Sequence, residues 1–438
     1  MKEVKYFDMS MPPRKIKWYL KPVKNLLCKP TIKKHKAIIN YVGSENLKGP
    51  FLLLCNHNAF LDFKVANTCL GKNDANYVVA IDGFLKREGL LRNVGCICKR
   101  KFTNDITLVK QLKRVISERR VAVVYPEARY SLCGTTAILP SSLGKLAKLL
   151  NVNVATLICH GHHINSPFWD TSHERGVEGI ESTYKLLIKK EELDKLSVDE
   201  INNKILDEFQ YDDFKWQKEK GILVKDEKRA EGLHRVLYQC PVCKTEYEMS
   251  SNGKTLKCNH CNSTWEMKEN GELELIAGDN KSDINFNHIP DWYEWQRSNV
   301  RREIEEGTYS TGILKCQVDS LPKDRFYDLG EATLIHDMNG FNVTLNGDLD
   351  GKSEEVKYLI NKTRSMVIPA EALYSCHIEY QYLFKKGDCV DLNTINDTWY
   401  IFPFENQKFN VTKIALATEE LYLYKKRESG VEIKKGFS

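Results

Sequence analysis

Residues 37 to 190 alternate short apolar, β-branched runs with amphipathic stretches, and no other feature limits the fold so much. FLLLC (51–55), YVVAI (77–81), VAVVYP (121–126) and VNVATLICH (152–160) read as buried strands. Between them Ile106, Val109, Leu112 and Ile116 recur at helical spacing, and SLGKLAKLLN repeats the pattern. Buried strands alternating with amphipathic helices predict an α/β domain around a largely parallel sheet. A charged helical stretch closes it, so the first domain spans 37–235.

The remainder changes character three times. Residues 236–270 form a small cysteine module, and 271–311 read as a polar linker followed by a short helix. From 312 to 438 the period becomes two. Phe341, Val343 and Leu345 alternate after an Asn-Gly step, as do Ile378, Tyr380, Tyr382 and Phe384, and NVTKIALATEELYLYKK is helical at the end. Strands closed by one amphipathic helix predict an all-β, barrel-like domain with a plug. This region faintly resembles pleckstrin-homology-like domains.

Residues 1–36 hold eleven Lys or Arg against two acids, although the whole chain is only +6. Trp18, Tyr19, Leu20, Val23, Leu26 and Leu27 are interleaved with those charges, and Pro22 breaks or starts their helix. Such an arm suits an anionic phospholipid surface. No run reaches the ~18 apolar residues of a membrane span, and no secretory signal is read at the N-terminus. Of the fourteen cysteines four fall into two tight pairs and most of the others sit inside apolar runs, a pattern of reducing compartments. The expected location is therefore cytoplasmic, peripheral on the inner face of the cell membrane. A nucleic-acid partner is not expected, because the cysteine module carries few Lys and no stacked-aromatic pattern.

The sharpest chemical signal is LLLCNHNAFLDF, in which Asp62 follows His57 by five residues. Neutral imidazole can take a hydroxyl proton near pH 7. A carboxylate on its other nitrogen fixes the tautomer and stabilises the imidazolium. Five residues on an ideal helix turn ~500°, so the pair meets only if His57 is in a loop and Asp62 in the first helical turn. A surface histidine beside a helix-starting acid would leave the same signature.

Three further blocks follow in order: GCICKR (95–100), YPEARYS (125–131) and VNVATLI (152–158). With NHNAFLD they resemble the glycerolipid acyltransferase family that includes 1-acylglycerol-3-phosphate acyltransferases, here a bacterial type with an added zinc ribbon. The resemblance covers about 150 residues well. It implies transfer of a fatty acyl group from an acyl thioester, acyl-CoA or acyl-carrier-protein, to the hydroxyl of a lysophosphatidate-type lysophospholipid acceptor in phospholipid biosynthesis. It also implies catalytic roles for His57 and Asp62, and acceptor binding by Arg100, Glu127, Arg129 and Ser131. The third block departs from the family: Ala128 stands for Gly, Arg129 for Thr and Tyr130 for Arg. The fourth lacks the usual proline. A covalent route through Cys55 or Cys133 would need a thiolate. Cys55 ends a buried strand and reads as inert packing.

The second signal is Cys240 and Cys243 with Cys258 and Cys261, two C-x-x-C pairs fourteen residues apart. Four thiolates on two turns predict a structural Zn²⁺ site, with iron as the other metal that such a set suits. His160, His162 and His163 form a third cluster, read as loop residues at the mouth of the active site rather than as a metal centre. The competing reading is a non-catalytic zinc-ribbon protein that binds lipid or a partner and carries a degenerate acyltransferase domain.

Overall fold

The computed structural model describes residues 4–278, 285–382, 386–431 and 436–437; residues 279–284 of the expected linker and Phe384 of the alternating C-terminal run lie outside the described residues. The first domain is a seven-stranded sheet of β1 (Ile38–Val42), β2 (Phe51–Cys55), β3 (Ala75–Ala80), β4 (Cys96–Lys99), β5 (Val121–Val124), β6 (Asn153–His160) and β7 (Glu181–Ile188). Its order is β1-β7-β6-β2-β5-β3-β4. The sequence runs for β2, β3, β5 and β6 become four adjacent parallel strands. The sheet is mixed, because β7 pairs antiparallel with β6 and carries β1 beside it. β2 is central and each of its five residues is buried, which explains its unbroken apolar run.

The helix Ile106–Ser117 is capped by Asp105, whose side chain accepts from the amides of Thr107 and Leu108. Leu112 and Val115 face the core, whereas Ile106, at the first helical position, lies outside the packed stripe and is exposed. The helix Leu61–Leu70 begins just beyond the loop that follows β2 and buries Val65, Ala66 and Leu70.

The cysteine module is a four-stranded antiparallel sheet, β8 (Met249–Asn252), β9 (Thr255–Cys258), β10 (Thr264–Met267) and β11 (Leu273–Ala277), in order β11-β10-β9-β8. Its Trp265 packs edge-on against Trp292 of the helix Ile289–Glu305, with ring centroids 4.9 Å apart.

The last region is a seven-stranded sheet of β12 (Leu314–Ser320), β13 (Tyr327–Asp337), β14 (Gly340–Leu345), β15 (Ser365–Pro369), β16 (His377–Glu379), β17 (Cys389–Asn393) and β18 (Thr398–Pro403). The order is β15-β14-β13-β12-β18-β17-β16, and its pairs are antiparallel. The Asn-Gly step forms the β13–β14 turn. Gly340 has φ +104°, and a Cβ there would lie 2.3 Å from the Ile368 carbonyl oxygen. The expected closed barrel is corrected to a half-barrel, since β15 and β16 are edges that do not pair among the described residues. The helix Val411–Glu428 supplies the reason: it contacts both β16 and the turn Ala370–Ala372 after β15, and so spans the gap.

The three regions share one buried apolar cluster. It runs from Ala59 and Leu61 through Trp169, Leu237, Trp265 and Trp292 to Val318, Ile401 and Leu416. The N-terminal segment is not a free arm either. Val4, Phe7 and Ile16 are buried; Trp18 is exposed just before the helix Leu20–Lys34, which leaves Val23, Leu26 and Leu27 exposed. No helix among the described residues is long and apolar enough to cross a membrane.

Candidate active site

β2 ends at Cys55 and the chain turns into a loop that carries His57 before the helix Leu61–Leu70 begins. Asn56 fastens that loop to β6: its side chain donates to the Cys159 carbonyl at 3.0 Å and accepts the Cys159 amide at 2.8 Å. Asp62 lies in the first turn of the helix, so the bend that the spacing required is present. His57 Nδ1 is 3.1 Å from Asp62 Oδ2. The same oxygen accepts the amides of Asn58 (2.6 Å) and Ala59 (3.0 Å). Asp62 is fully buried while the His57 side chain is 24% exposed. Burial would raise the Asp62 carboxyl, but hydrogen bonds from His162 and His57 outweigh it and bring it down to about 2. The carboxylate is thus ionised and accepts from the ring, which leaves the His57 Nε2 lone pair free for a proton.

Two tyrosines flank the imidazole. Tyr125 lies with its ring centroid 4.4 Å away and Tyr130 at 4.3 Å, both tilted. Tyr130 occupies the position where the family resemblance implied arginine, and here it packs instead of binding an anion. Ala128 stands at the implied glycine and adopts φ +55°, the left-handed conformation that glycine reaches freely.

The four residues expected to hold the acceptor are otherwise engaged. Arg100 is 2% exposed. Its guanidinium donates to the carbonyls of Leu321 (3.0 Å), Pro322 (2.8 Å) and Asn396 (2.9 Å) and to the Thr398 hydroxyl (2.6 Å), all in the C-terminal region. Arg129 pairs with Glu419 at 2.6 Å. Glu127 meets neither arginine: it accepts the His57 amide at 2.7 Å, the Ala137 amide at 2.9 Å and the Tyr211 hydroxyl at 3.3 Å. Burial raises its carboxyl to about 8 against those amide bonds. Ser131 accepts the Gly134 amide and donates to the Thr135 carbonyl, which builds a turn. Only Arg100 and Arg129 reach the C-terminal region, which docks on β4 and on the loop after β5; the partners of Glu127 and Ser131 lie within the first domain.

The histidine cluster divides. His160 stacks on Trp216 with rings 15° apart. His163 is buried with no hydrogen-bond partner for either ring nitrogen among the described residues, and burial lowers it to about 4. His162 was missed as a site residue: its Nδ1 lies 2.6 Å from Asp62 Oδ1. Its signal was the place of the cluster at the end of a strand, but the adjacency of β6 to β2 was needed to read it. Cys55 is buried and its thiol stands well above the usual range, while burial pushes Cys133 up to about 12, so neither presents a thiolate.

The four cysteines of the small module converge, with ligand atoms within 4.8 Å of one another. Cys240 Sγ lies 3.7 Å from Cys261 Sγ, and Cys243 Sγ lies 3.7 Å from Cys258 Sγ. Those separations are too long for disulfides, and a metal tetrahedron with sulfur bonds of ~2.3 Å has edges of roughly 3.8 Å. The group could hold a metal ion, and it takes Cys261 rather than the exposed His260.

Fold and site together define an α/β domain with a histidine–aspartate pair at the carboxyl edge of a largely parallel sheet. Residues 38–159, which hold the four motif blocks, match the family described as Acyltransferase. No curated protein matches the chain. Among solved structures it is similar to the 1-acyl-sn-glycerophosphate (LPA) acyltransferase PlsC from Thermotoga maritima, at 13% identity and a TM-score of 0.36, over 44% of this chain and 77% of that one. A likeness that slight carries no argument of its own.

Proposed function

We propose that the protein transfers a fatty acyl group from acyl-CoA or acyl-carrier-protein to the hydroxyl of a lysophosphatidate-type acceptor at a membrane surface. The observation that carries the reading is the 3.1 Å contact between His57 Nδ1 and the ionised, buried Asp62 in a domain of this family. His57 Nε2 takes the acceptor hydroxyl proton as the oxygen attacks the thioester carbonyl. The tetrahedral intermediate collapses, the carbon–sulfur bond breaks, and the imidazolium returns its proton to the departing thiolate. Exposed Trp18, Leu26 and Leu27 beside the N-terminal lysines support a peripheral seat on anionic lipid. The 3.7 Å sulfur pairs support a structural Zn²⁺ at Cys240, Cys243, Cys258 and Cys261.

The engagement of Arg100 and Arg129 favours a second reading, a lipid- or partner-binding protein with a degenerate site. His57→Ala separates the two. Acyl transfer by the purified chain on anionic vesicles, with oleoyl-CoA and lysophosphatidate, should fall by about two or more orders of magnitude. Wild-type turnover that survives the substitution would remove His57 from the chemistry.

A further inference from the structure

We infer that His162 is a positioning residue that sets the orientation and basicity of Asp62, and through it those of His57; the inference rests on the acyl-transfer reading of this pair. His162 and Asp62 are both fully buried, and the contact between Nδ1 and Oδ1 is 2.6 Å. An ionised carboxylate only accepts, so both imidazoles donate from Nδ1. His57 and the amides of Asn58 and Ala59 hold Oδ2, and His162 holds Oδ1. With both oxygens anchored from opposite sides, the carboxylate plane is fixed where His57 needs it.

The chain aims His162 through its neighbours. Gly161 leaves β6 at φ +83°, and a Cβ there would lie 2.9 Å from the Trp216 ring. Asp213 Oδ2 accepts the amides of Gly161 (3.1 Å) and His163 (3.0 Å), which pins the turn on either side of His162. His162 Nε2 is buried without a hydrogen-bond partner among the described residues, so the ring has one polar contact, and it is Asp62.

Most of the other titratable groups that face the pair keep one protonation state near neutrality. Cys55, Cys159, Tyr125 and Tyr211 are held well above their usual values by burial, and Tyr130 is raised in the same way. His163 is lowered to about 4 by burial; Glu127, raised to about 8, and the Asp213 carboxylate that holds the amides beside His162 also face the pair and are unchanged in the variants below. Taking the His162 donor away leaves Asp62 a stronger base toward His57, which stabilises the imidazolium. The acid limb of the pH–rate profile then moves up.

Two variants of the full chain cross packing against hydrogen bonding. His162→Phe keeps the ring and loses the donor; His162→Asn keeps a donor near Nδ1 and loses volume. With oleoyl-CoA and lysophosphatidate on anionic vesicles, His162→Phe should lower kcat/KM on the order of tenfold at neutral pH and raise the acid limb by about half a unit or more, while His162→Asn stays near wild type. The reverse ranking, with an unmoved acid limb, would mean that the ring merely fills space and would overturn the inference. Histidine-labelled wild-type protein gives a readout without turnover: two hydrogen-bonded Nδ1–H signals sharing one carboxylate are expected by NMR. Absence of the second signal overturns the inference even if neither variant folds. Two signals in a protein that transfers no acyl group would sink the acyl-transfer reading and leave the positioning contact standing.

Discussion

Arg129 and Glu419, 290 positions apart, meet in a fully buried ion pair at 2.6 Å. The pair joins the loop after β5 to the last helix. Glu419 also takes Arg297 at 2.7 Å on its other oxygen and the Ser375 hydroxyl at 2.8 Å. One carboxylate therefore ties the acyltransferase domain, the helix after the cysteine module and the half-barrel together. Arg100 makes a second tie at 2.6–3.0 Å to the same half-barrel, where the central strand β12 ends and β18 begins. Arg100 and Arg129, two of the four residues that the family resemblance associated with the acceptor, hold this chain's own C-terminal region.

Glu419→Gln should accordingly destabilise the whole chain. It removes the anion from between two buried guanidinium groups, and leaving a buried charge unpaired costs about 3–5 kcal/mol. Burial alone would raise the Glu419 carboxyl, but Arg129 and Arg297 depress it below its usual value. Stability from this group is present above the ordinary glutamate range and is lost as pH falls through the depressed value. Denaturant unfolding of wild type and variant at neutral pH checks the size of the effect. A midpoint that does not move would show that the contact contributes nothing.

The alanine at 128 makes an independent prediction of opposite sign. At φ +55° its Cβ crowds the backbone, a cost of about 1–2 kcal/mol that glycine avoids. Glycine returns part of the gain through the freedom of the unfolded chain. Ala128→Gly should raise stability by about 0.5–1 kcal/mol, read as an upward shift of the thermal midpoint.

These two residues also mark how far the sequence could be read. The strands FLLLC and VAVVYP, the helix after His57 and the pairing of His57 with Asp62 follow from local pattern, because spacing and periodicity decide them. The convergence of Cys240, Cys243, Cys258 and Cys261 was equally legible, since two short turns bring the pairs together. What the sequence hid is tertiary. Arg100 finds its acceptors more than 200 positions away, and His162 finds Asp62 exactly a hundred positions back, across neighbouring strands. The open half-barrel was hidden for the same reason: period two gives strands, but only the helix packed on both edges decides that they do not close.

Glu127 gives the protein a pH dependence of stability that can be isolated. Burial lifts its carboxyl to about 8, although the amides of Ala137 and His57 oppose the lift. A group raised on folding contributes stability fully below its unfolded value, near 4.5. That contribution is lost as pH rises through the folded value, at about 1.4 kcal/mol per pH unit across the window. Glu127→Gln cannot titrate. It should cost a constant offset, because its NH₂ meets an amide donor, while the slope between pH 5 and 8 attributable to residue 127 disappears. Unfolding of both proteins at several pH values measures the difference, and parallel curves would place the ionisation elsewhere.

The cysteine module makes the last prediction. Its sheet has four strands of four or five residues, and below about 40 residues a metal is usually needed to hold such a unit. Yet Trp265 also packs into the core shared with Trp292, so the module does not stand alone. Cys240→Ser should therefore lower bound zinc and folding yield together, and a strong chelator should reproduce the loss in wild type. The unfolding should begin at the module and spread, because the helix Ile289–Glu305 carries both Trp292, against the module, and Arg297, against Glu419. Hydrogen exchange of the chelated protein checks the order: protection lost first at residues 249–277, then along that helix, with β2 to β6 exchanging last. A metal-free chain with unchanged protection and unchanged acyl transfer would leave the four thiols as ordinary buried side chains.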